Sequence, residues 1–195
     1  MAPMRTILAL LLLATLYVAS LVLFPVEKVE VVGLQNLKAE ELLARVGLFQ
    51  GEAWLWVLPS RLAPLRQDPW IAEAHLEKPR PGEVRLYVRE RKPFLPLPEG
   101  SALAEDGTLL PGGAPLARGP KVEGKGPLPK EELLQLARAY PKAKVLRYTP
   151  AGFWVVLEES TLFAPEASLL LKYPEGKRPS ASRVYLYSWG VSVRP

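Results

Sequence analysis

The sequence predicts an α+β protein: an apolar N-terminal helix, a small β-α-α-β-β domain, and a second, mostly antiparallel β domain carrying one or two helices. Three observations predict it. Ile7 to Phe24 is a run of 18 residues without a charge. Two runs in which apolar and charged residues alternate, Val26–Val32 and Val84–Val88, bracket two short helical patterns. Beyond Pro129, one amphipathic helical pattern is followed by further alternating runs separated by turn residues.

The uncharged run interrupts its Leu, Ala and Val residues only with Thr15, Tyr17 and Ser20. At about 1.5 Å per residue it makes roughly 27 Å of helix, close to a hydrocarbon core of about 30 Å. A cleaved signal peptide is the rival, with Val18-Ala19-Ser20 as its cleavage site, but Leu21-Val22-Leu23-Phe24 continues the apolar run past that point. The expectation is an uncleaved single-pass anchor over 7–25, with residues 1–6 as a short tail. Arg5 on one side and Lys28 and Lys38 on the other leave its direction open by charge.

Val26–Val32 reads as a half-buried strand ended by Gly33. Asn36 is expected to cap a helix whose apolar face is Leu37, Leu42, Leu43 and Val46, with Gly47 closing it. Gly51–Trp56 reads as a loop. Pro59 starts a second helix, with Leu58, Leu62 and Leu65 on one face, and Asp68-Pro69 breaks it. Trp70–Glu77 alternates Ala72, Ala74 and Leu76 against Glu73, His75 and Glu77, and Pro79–Gly82 turns it back into the Val84–Val88 strand, which stops before Pro93. About 68 residues in this order is the size of one small domain.

From Pro93 to Pro129 prolines and glycines are dense, which reads as a stiff connector holding one tight hairpin at Asp106-Gly107. Pro111–Gly113 and Lys121–Pro129 are expected to be exposed loops. A helix follows from Pro129, burying Leu133, Leu136, Ala137 and Tyr140. Then come a hairpin over Val145–Tyr148 and Phe153–Leu157, a weak helix over Pro165–Tyr173, and a loop over Pro174–Ser182. The final run, Val184 to Val193, is aromatic and β-branched on both faces and reads as one closing strand.

Charge and composition narrow the function classes. Net charge is +5, scattered among acids with no basic stripe, which points to mild attraction to anionic headgroups or wall polymers and away from nucleic acid. Cysteine is absent, so thiolate chemistry and disulfides are excluded. His75 is the single histidine, beside Glu73 and Glu77 on what reads as a solvated strand face. Asp68 and Asp106 precede Pro and Gly, as turn formers do, and no serine elbow or phosphate loop is present. No catalytic, cofactor or metal set assembles, and no small-molecule substrate is expected. Trp54, Trp56 and Trp70 read mainly as packing residues, with one free for binding or for the bilayer interface.

The chain resembles the cell-division protein FtsQ/DivIB family. The resemblance is carried by the apolar helix followed at once by Val29-Glu30-Val31-Val32-Gly33, by Gly51 leading into Leu55, and by Asp68-Pro69-Trp70-Ile71-Ala72-Glu73-Ala74. Glu90-Arg91-Lys92-Pro93, Leu103-Ala104-Glu105-Asp106-Gly107, Arg183–Tyr187 and Gly190–Val193 continue it. Where the family's closing strand carries Asp and Arg, this chain has Tyr185 and Tyr187. The resemblance implies a POTRA domain over 26–93, with Val29, Val31, Gly33, Glu90, Arg91 and Pro93 as its motif, and an FtsQ-type β domain over 94–195. It implies a non-catalytic, single-pass protein of the cytoplasmic membrane, its domains outside the cytoplasm, enriched at the division septum. The implied partners are FtsB/DivIC-like and FtsL-like division proteins, received at Val184, Tyr185, Leu186, Tyr187, Ser188, Trp189, Gly190, Val191 and Val193. Read from the residues alone, that final segment is either an open sheet edge or the strand that closes the domain's own sheet. An accessory POTRA-type chaperone in export or outer-membrane assembly is the alternative function.

Overall fold

A computed structural model describes residues 2–173 and 183–194. The chain forms two compact units, Met1–Arg91 and Lys92–Pro195. The loop expected over Pro174–Ser182 lies outside the described residues.

The first unit opens with α1 (Ala2–Leu23). Its leucines from Leu8 to Leu16 are exposed. Apolar on every side, such a helix needs an apolar surrounding. By length and composition Thr6–Leu23 is sufficient to cross a membrane. After it come β1 (Lys28–Val32), α2 (Ala39–Val46), a 3-10 turn at Trp54–Trp56, and a second 3-10 turn at Pro59–Leu62 that runs into α3 (Ala63–Arg66). β2 (Ile71–Glu77) and β3 (Glu83–Glu90) complete the unit. The sheet order is β1-β3-β2, so the last strand lies in the middle, parallel to β1 and antiparallel to β2. Its alternation explains that place: Val84, Leu86 and Val88 bury themselves against Leu42, Val46, Leu62 and Leu65 of the helical layer.

Two local expectations change. Asn36 does not cap α2; Lys38 holds that position without a side-chain bond, and the Asn36 amide is spent elsewhere. The Gly51–Trp56 loop contains a 3-10 turn, and only four residues after Pro59–Leu62 are α-helical. Gly47 does close α2, in the left-handed conformation at φ 61°.

The second unit begins with a three-stranded antiparallel sheet: β4 (Pro93–Pro96), β5 (Ala102–Ala104) and β6 (Leu109–Leu110). β7 (Lys121–Gly124), α4 (Lys130–Ala139), β8 (Val145–Thr149), β9 (Gly152–Val156), β10 (Thr161–Ala164) and α5 (Ala167–Leu171) follow. β11 (Arg183–Tyr187) and β12 (Gly190–Arg194) end the described chain. Strands β7 to β12 form one sheet in the order β12-β11-β10-β9-β8-β7. β8, β9 and β10 pair antiparallel; β7 joins β8 in parallel, and β11 joins β10 in parallel. Helix α4 lies in sequence between one parallel pair and α5 between the other. Tyr140 sits fully buried near the middle of the core, its hydroxyl donating to the Leu170 carbonyl at 2.6 Å with the Tyr173 carbonyl 2.9 Å away. The α+β class expected from the sequence is the class observed.

Here the expected connector is corrected. Leu95, Leu103, Leu110 and Val122 are fully buried, and Lys121–Gly124 is a paired strand, not an exposed loop. The partner that makes it a strand, β8, arrives about twenty residues later, so no local periodicity announces it. β10 likewise escapes a sequence reading, because four residues are too few to show alternation. The hairpin at Asp106-Gly107 forms as read, with the Thr108 N–H donating to the Asp106 carboxylate at 3.0 Å.

Candidate interaction edge

The closing run is two strands and not one. Ser188 and Trp189 form the two-residue turn between β11 and β12, with Tyr187 opposite Gly190, Tyr185 opposite Ser192 and Val184 opposite Val193. Of the nine residues singled out there, Val184, Tyr185, Leu186 and Tyr187 belong to an interior strand. Gly190, Val191 and Val193 belong to the outermost strand of the sheet, with Ser188 and Trp189 at the tip between. The misreading has a simple cause: both strands are β-branched or aromatic, and a Ser-Trp turn carries weaker punctuation than Asn-Gly.

This register assigns the faces. Directly opposed residues share a face of the sheet. Val184 and Leu186, at 1% and 4% exposure, point into the helix-covered core, so Val191 and Val193 belong to the same apolar face. Yet Val191 is 54% and Val193 44% exposed. Among the described residues, the core face therefore runs one strand further than its cover. On the other face, Tyr185 joins Trp154 and Phe163 in an aromatic group with centroids 4.5 to 6.0 Å apart, and the Arg194 guanidinium lies 5.6 Å from the Tyr185 ring. At the tip, Tyr187 and Trp189 stack at 5.2 Å with Trp189 81% exposed.

The opposite margin of the same sheet differs. There β7 presents Lys121 and Glu123, the latter 2.9 Å from Arg147 and 3.3 Å from Lys121. Charges of this kind discourage another strand from adding. On the same face β12 carries Gly190, Ser192 and Arg194, with Val191 and Val193 on the core face and no described strand beyond it.

The motif residues of the first unit perform a different task. The Glu90 carboxylate, 8% exposed, accepts the backbone N–H groups of Gln35 (2.8 Å), Asn36 (2.9 Å) and Leu37 (3.0 Å) and the Asn36 side-chain amide (3.0 Å). Burial pushes this carboxyl up; the hydrogen bonds from Gln35, Leu37 and Asn36 outweigh it and hold it below the usual carboxylate range. Arg91 donates to the Pro69 carbonyl at 3.0 Å and also to that of Ile71, fixing the start of β2. Asp68 accepts the Trp70 N–H at 2.8 Å and pairs with Arg45. Gly33 has φ 97°, and a Cβ there would meet the Val88 carbonyl oxygen at 2.1 Å. Val29 and Val31, half-buried on β1, lie beside Val84 and Leu86 in register, while Pro93 opens β4 of the second unit. Of these motif residues, Gly33, Glu90 and Arg91 tie the sheet to its turns, and Val29 and Val31 pack on its core.

His75 stacks on Tyr87 at 4.7 Å with its Nε2 3.7 Å from Glu77, on the exposed sheet face. Among the described residues no three His, Asp or Glu side chains gather as a metal site would require. Trp54 packs on the core and donates from Nε1 to the Glu83 carbonyl at 2.9 Å, whereas Trp56 meets Tyr17 of α1.

Residues 24–91 match the family described as POTRA domain, FtsQ-type. The chain is 36% identical over 72 residues to the cell division protein FtsQ of Chloroflexus aurantiacus, which is 37% of this chain and 26% of that one. It is 34% identical over 83 residues to the FtsQ of Chloroflexus aggregans, 43% of this chain and 30% of that one. The matched stretch thus spans between a quarter and a third of each relative's length. The resemblance read from the sequence motifs is the one these comparisons return.

Proposed function

We propose, from the premise that residues 24–91 are a POTRA domain of the FtsQ type, that this chain is a membrane-anchored, non-catalytic scaffold of the bacterial division complex. In this reading residues 7–25 cross the cytoplasmic membrane once, residues 1–6 remain in the cytoplasm, and the POTRA domain (26–93) and β domain (94–195) stand outside it, enriched at the septum. FtsB/DivIC-like and FtsL-like proteins are the partners, bound at the β11–β12 hairpin.

The observation that carries the reading is the uncovered apolar face at Val191 and Val193 on the terminal strand β12. A partner strand adding there gains main-chain hydrogen bonds of about 0.5–1.5 kcal/mol net each, and an apolar helix beside it would cover the two valines. The two-residue turn makes Tyr187 and Gly190 the closing hydrogen-bonded pair, so the N–H groups of Val191 and Val193 point away from β11. Trp189, at the tip, supplies an aromatic anchor of the kind that dominates interfaces.

The test replaces Val191 and Val193 together by lysine in the full chain. Both side chains are already about half exposed, so the fold tolerates the change. Binding to the FtsB-like partner, measured by pulldown from detergent, is expected to be lost. Unchanged binding would remove the hairpin from the reading.

A further inference from the structure

The end of α1 is not a free hinge. The backbone leaving it, Phe24–Val26, pairs with the loop between α2 and α3. The Trp54 N–H donates to the Phe24 carbonyl (3.1 Å), the Val26 N–H to Glu52 (2.8 Å), the Gly51 N–H to Val26 (2.8 Å), and Pro25 bridges Ala53. Trp56, from the same loop, meets Tyr17 edge-on at 5.8 Å. Ser20 is buried there, whereas Leu8, Leu10, Leu11 and Leu12 earlier in the helix are exposed. The loop therefore lies back along the last two turns of the apolar helix.

That loop is apolar on the outside and fixed from within. Leu48, Val57 and Leu62 enter the core, but Phe49 is 62%, Leu55 50% and Leu58 49% exposed. Lys78 holds the loop, donating to the Trp54 carbonyl at 2.7 Å with its ammonium 4.8 Å from the Trp54 ring. The pairing of Arg61 with Glu52 and its bond to the Gly47 carbonyl at 2.9 Å tie the loop's two ends together.

Dimensions identify what covers the outside. Six residues separate Tyr17 from Leu23, a rise of about 9 Å at 1.5 Å each. If Thr6–Leu23 fills the hydrocarbon core, a ring abreast of Tyr17 lies about 9 Å inside the end of the span, at the depth of roughly 5–10 Å that interfacial elements reach. Trp beside Leu and Phe, with lysine and arginine close behind, is the composition found at that boundary.

We propose that the Phe49–Leu58 loop is a lipid-binding element, seated in the headgroup–acyl boundary of the leaflet nearest the folded units with Leu55, Trp56 and Leu58 against lipid. It makes a second membrane contact beside the helix and fixes the POTRA domain against the bilayer. The inference rests on the proposal that α1 crosses the membrane.

The chain has no cysteine, so single cysteines can be placed cleanly. The full chain carries Thr15→Cys, Leu55→Cys, Leu58→Cys or Glu73→Cys, each labelled with an environment-sensitive fluorophore. It is reconstituted into phosphatidylcholine/phosphatidylglycerol vesicles with and without brominated acyl chains. Emission from positions 15, 55 and 58 is expected to shift to the blue and lose intensity in the brominated vesicles, with position 73 unaffected. Quenching at 15, with 55 and 58 behaving like 73, overturns the loop proposal and leaves the anchor standing. No quenching at 15 overturns the anchor reading, and the loop proposal with it.

Discussion

Replacing Glu90 by glutamine tests whether the POTRA motif is an electrostatic lock. The two carboxylate oxygens receive three backbone N–H groups and the Asn36 amide, from a turn 53 to 55 residues away in sequence. Glutamine keeps the shape but offers one oxygen and one NH2. With the oxygen in the place of Oε1 it keeps the N–H groups of Gln35, Leu37 and Asn36, the last at 3.0 Å, while the NH2 faces the Asn36 side-chain amide, donor against donor. A donor without an acceptor costs about 1–3 kcal/mol when buried, and the remaining bonds lose their charge assistance. Gln35 and Asn36 are exposed, which favours the low end, so the expected loss is about 1–2 kcal/mol. At an m of about 1 kcal/mol/M for a domain of this size, the urea midpoint should fall by about 1–2 M.

The assay is urea unfolding of the full chain in detergent. Pulsed hydrogen exchange and peptide mass spectrometry read β3 separately from the second unit. The pH dependence supplies the sharper criterion. Because the folded carboxyl titrates below its unfolded value of about 4.3, its contribution is complete above that pH and is lost as pH falls through the folded pKa. The gap between wild type and Glu90→Gln should close in that acid range through loss of wild-type stability. A gap that persists there, or a midpoint shift below about 0.5 M, would refute the lock.

Two further outcomes are expected. Gly33→Ala combines a positive φ with a Cβ 2.1 Å from the Val88 carbonyl, so β1 and β3 must part; about 3 kcal/mol or more should be lost, seen as early exchange of β3 amides. Tyr140→Phe removes the hydroxyl donor from the Leu170 carbonyl, which keeps the Tyr173 N–H at 3.0 Å, and should cost about 0.5–1.5 kcal/mol in the second unit, while β3 exchange in the first unit stays as in wild type.

Much of this architecture is legible in the residues. A run such as Val84-Arg85-Leu86-Tyr87-Val88 reports its two faces directly, because strand side chains alternate and one face is dry. Helix α4 shows its buried side through Leu133, Leu136 and Ala137 for the equivalent reason at a period of 3.6. The apolar helix α1 is likewise written in composition alone. The POTRA motif is legible as a pattern, but its purpose is not: Glu90 looks like any acid at the end of a strand until the 35–37 turn folds over it.

What only the tertiary structure decided are pairings between segments distant in sequence. β7 looks like a loop because its strand character comes from β8. The Val184–Val193 run looks like one strand because nothing local says that its first half is interior and its second half terminal. The same holds for the loop at Phe49–Leu58, which sequence alone describes as a few apolar residues between helices. Its place beside α1 follows from backbone bonds between Phe24–Val26 and Gly51–Trp54. Periodicity records what a segment buries; it does not record against which neighbour, or at which margin of a sheet the burial stops.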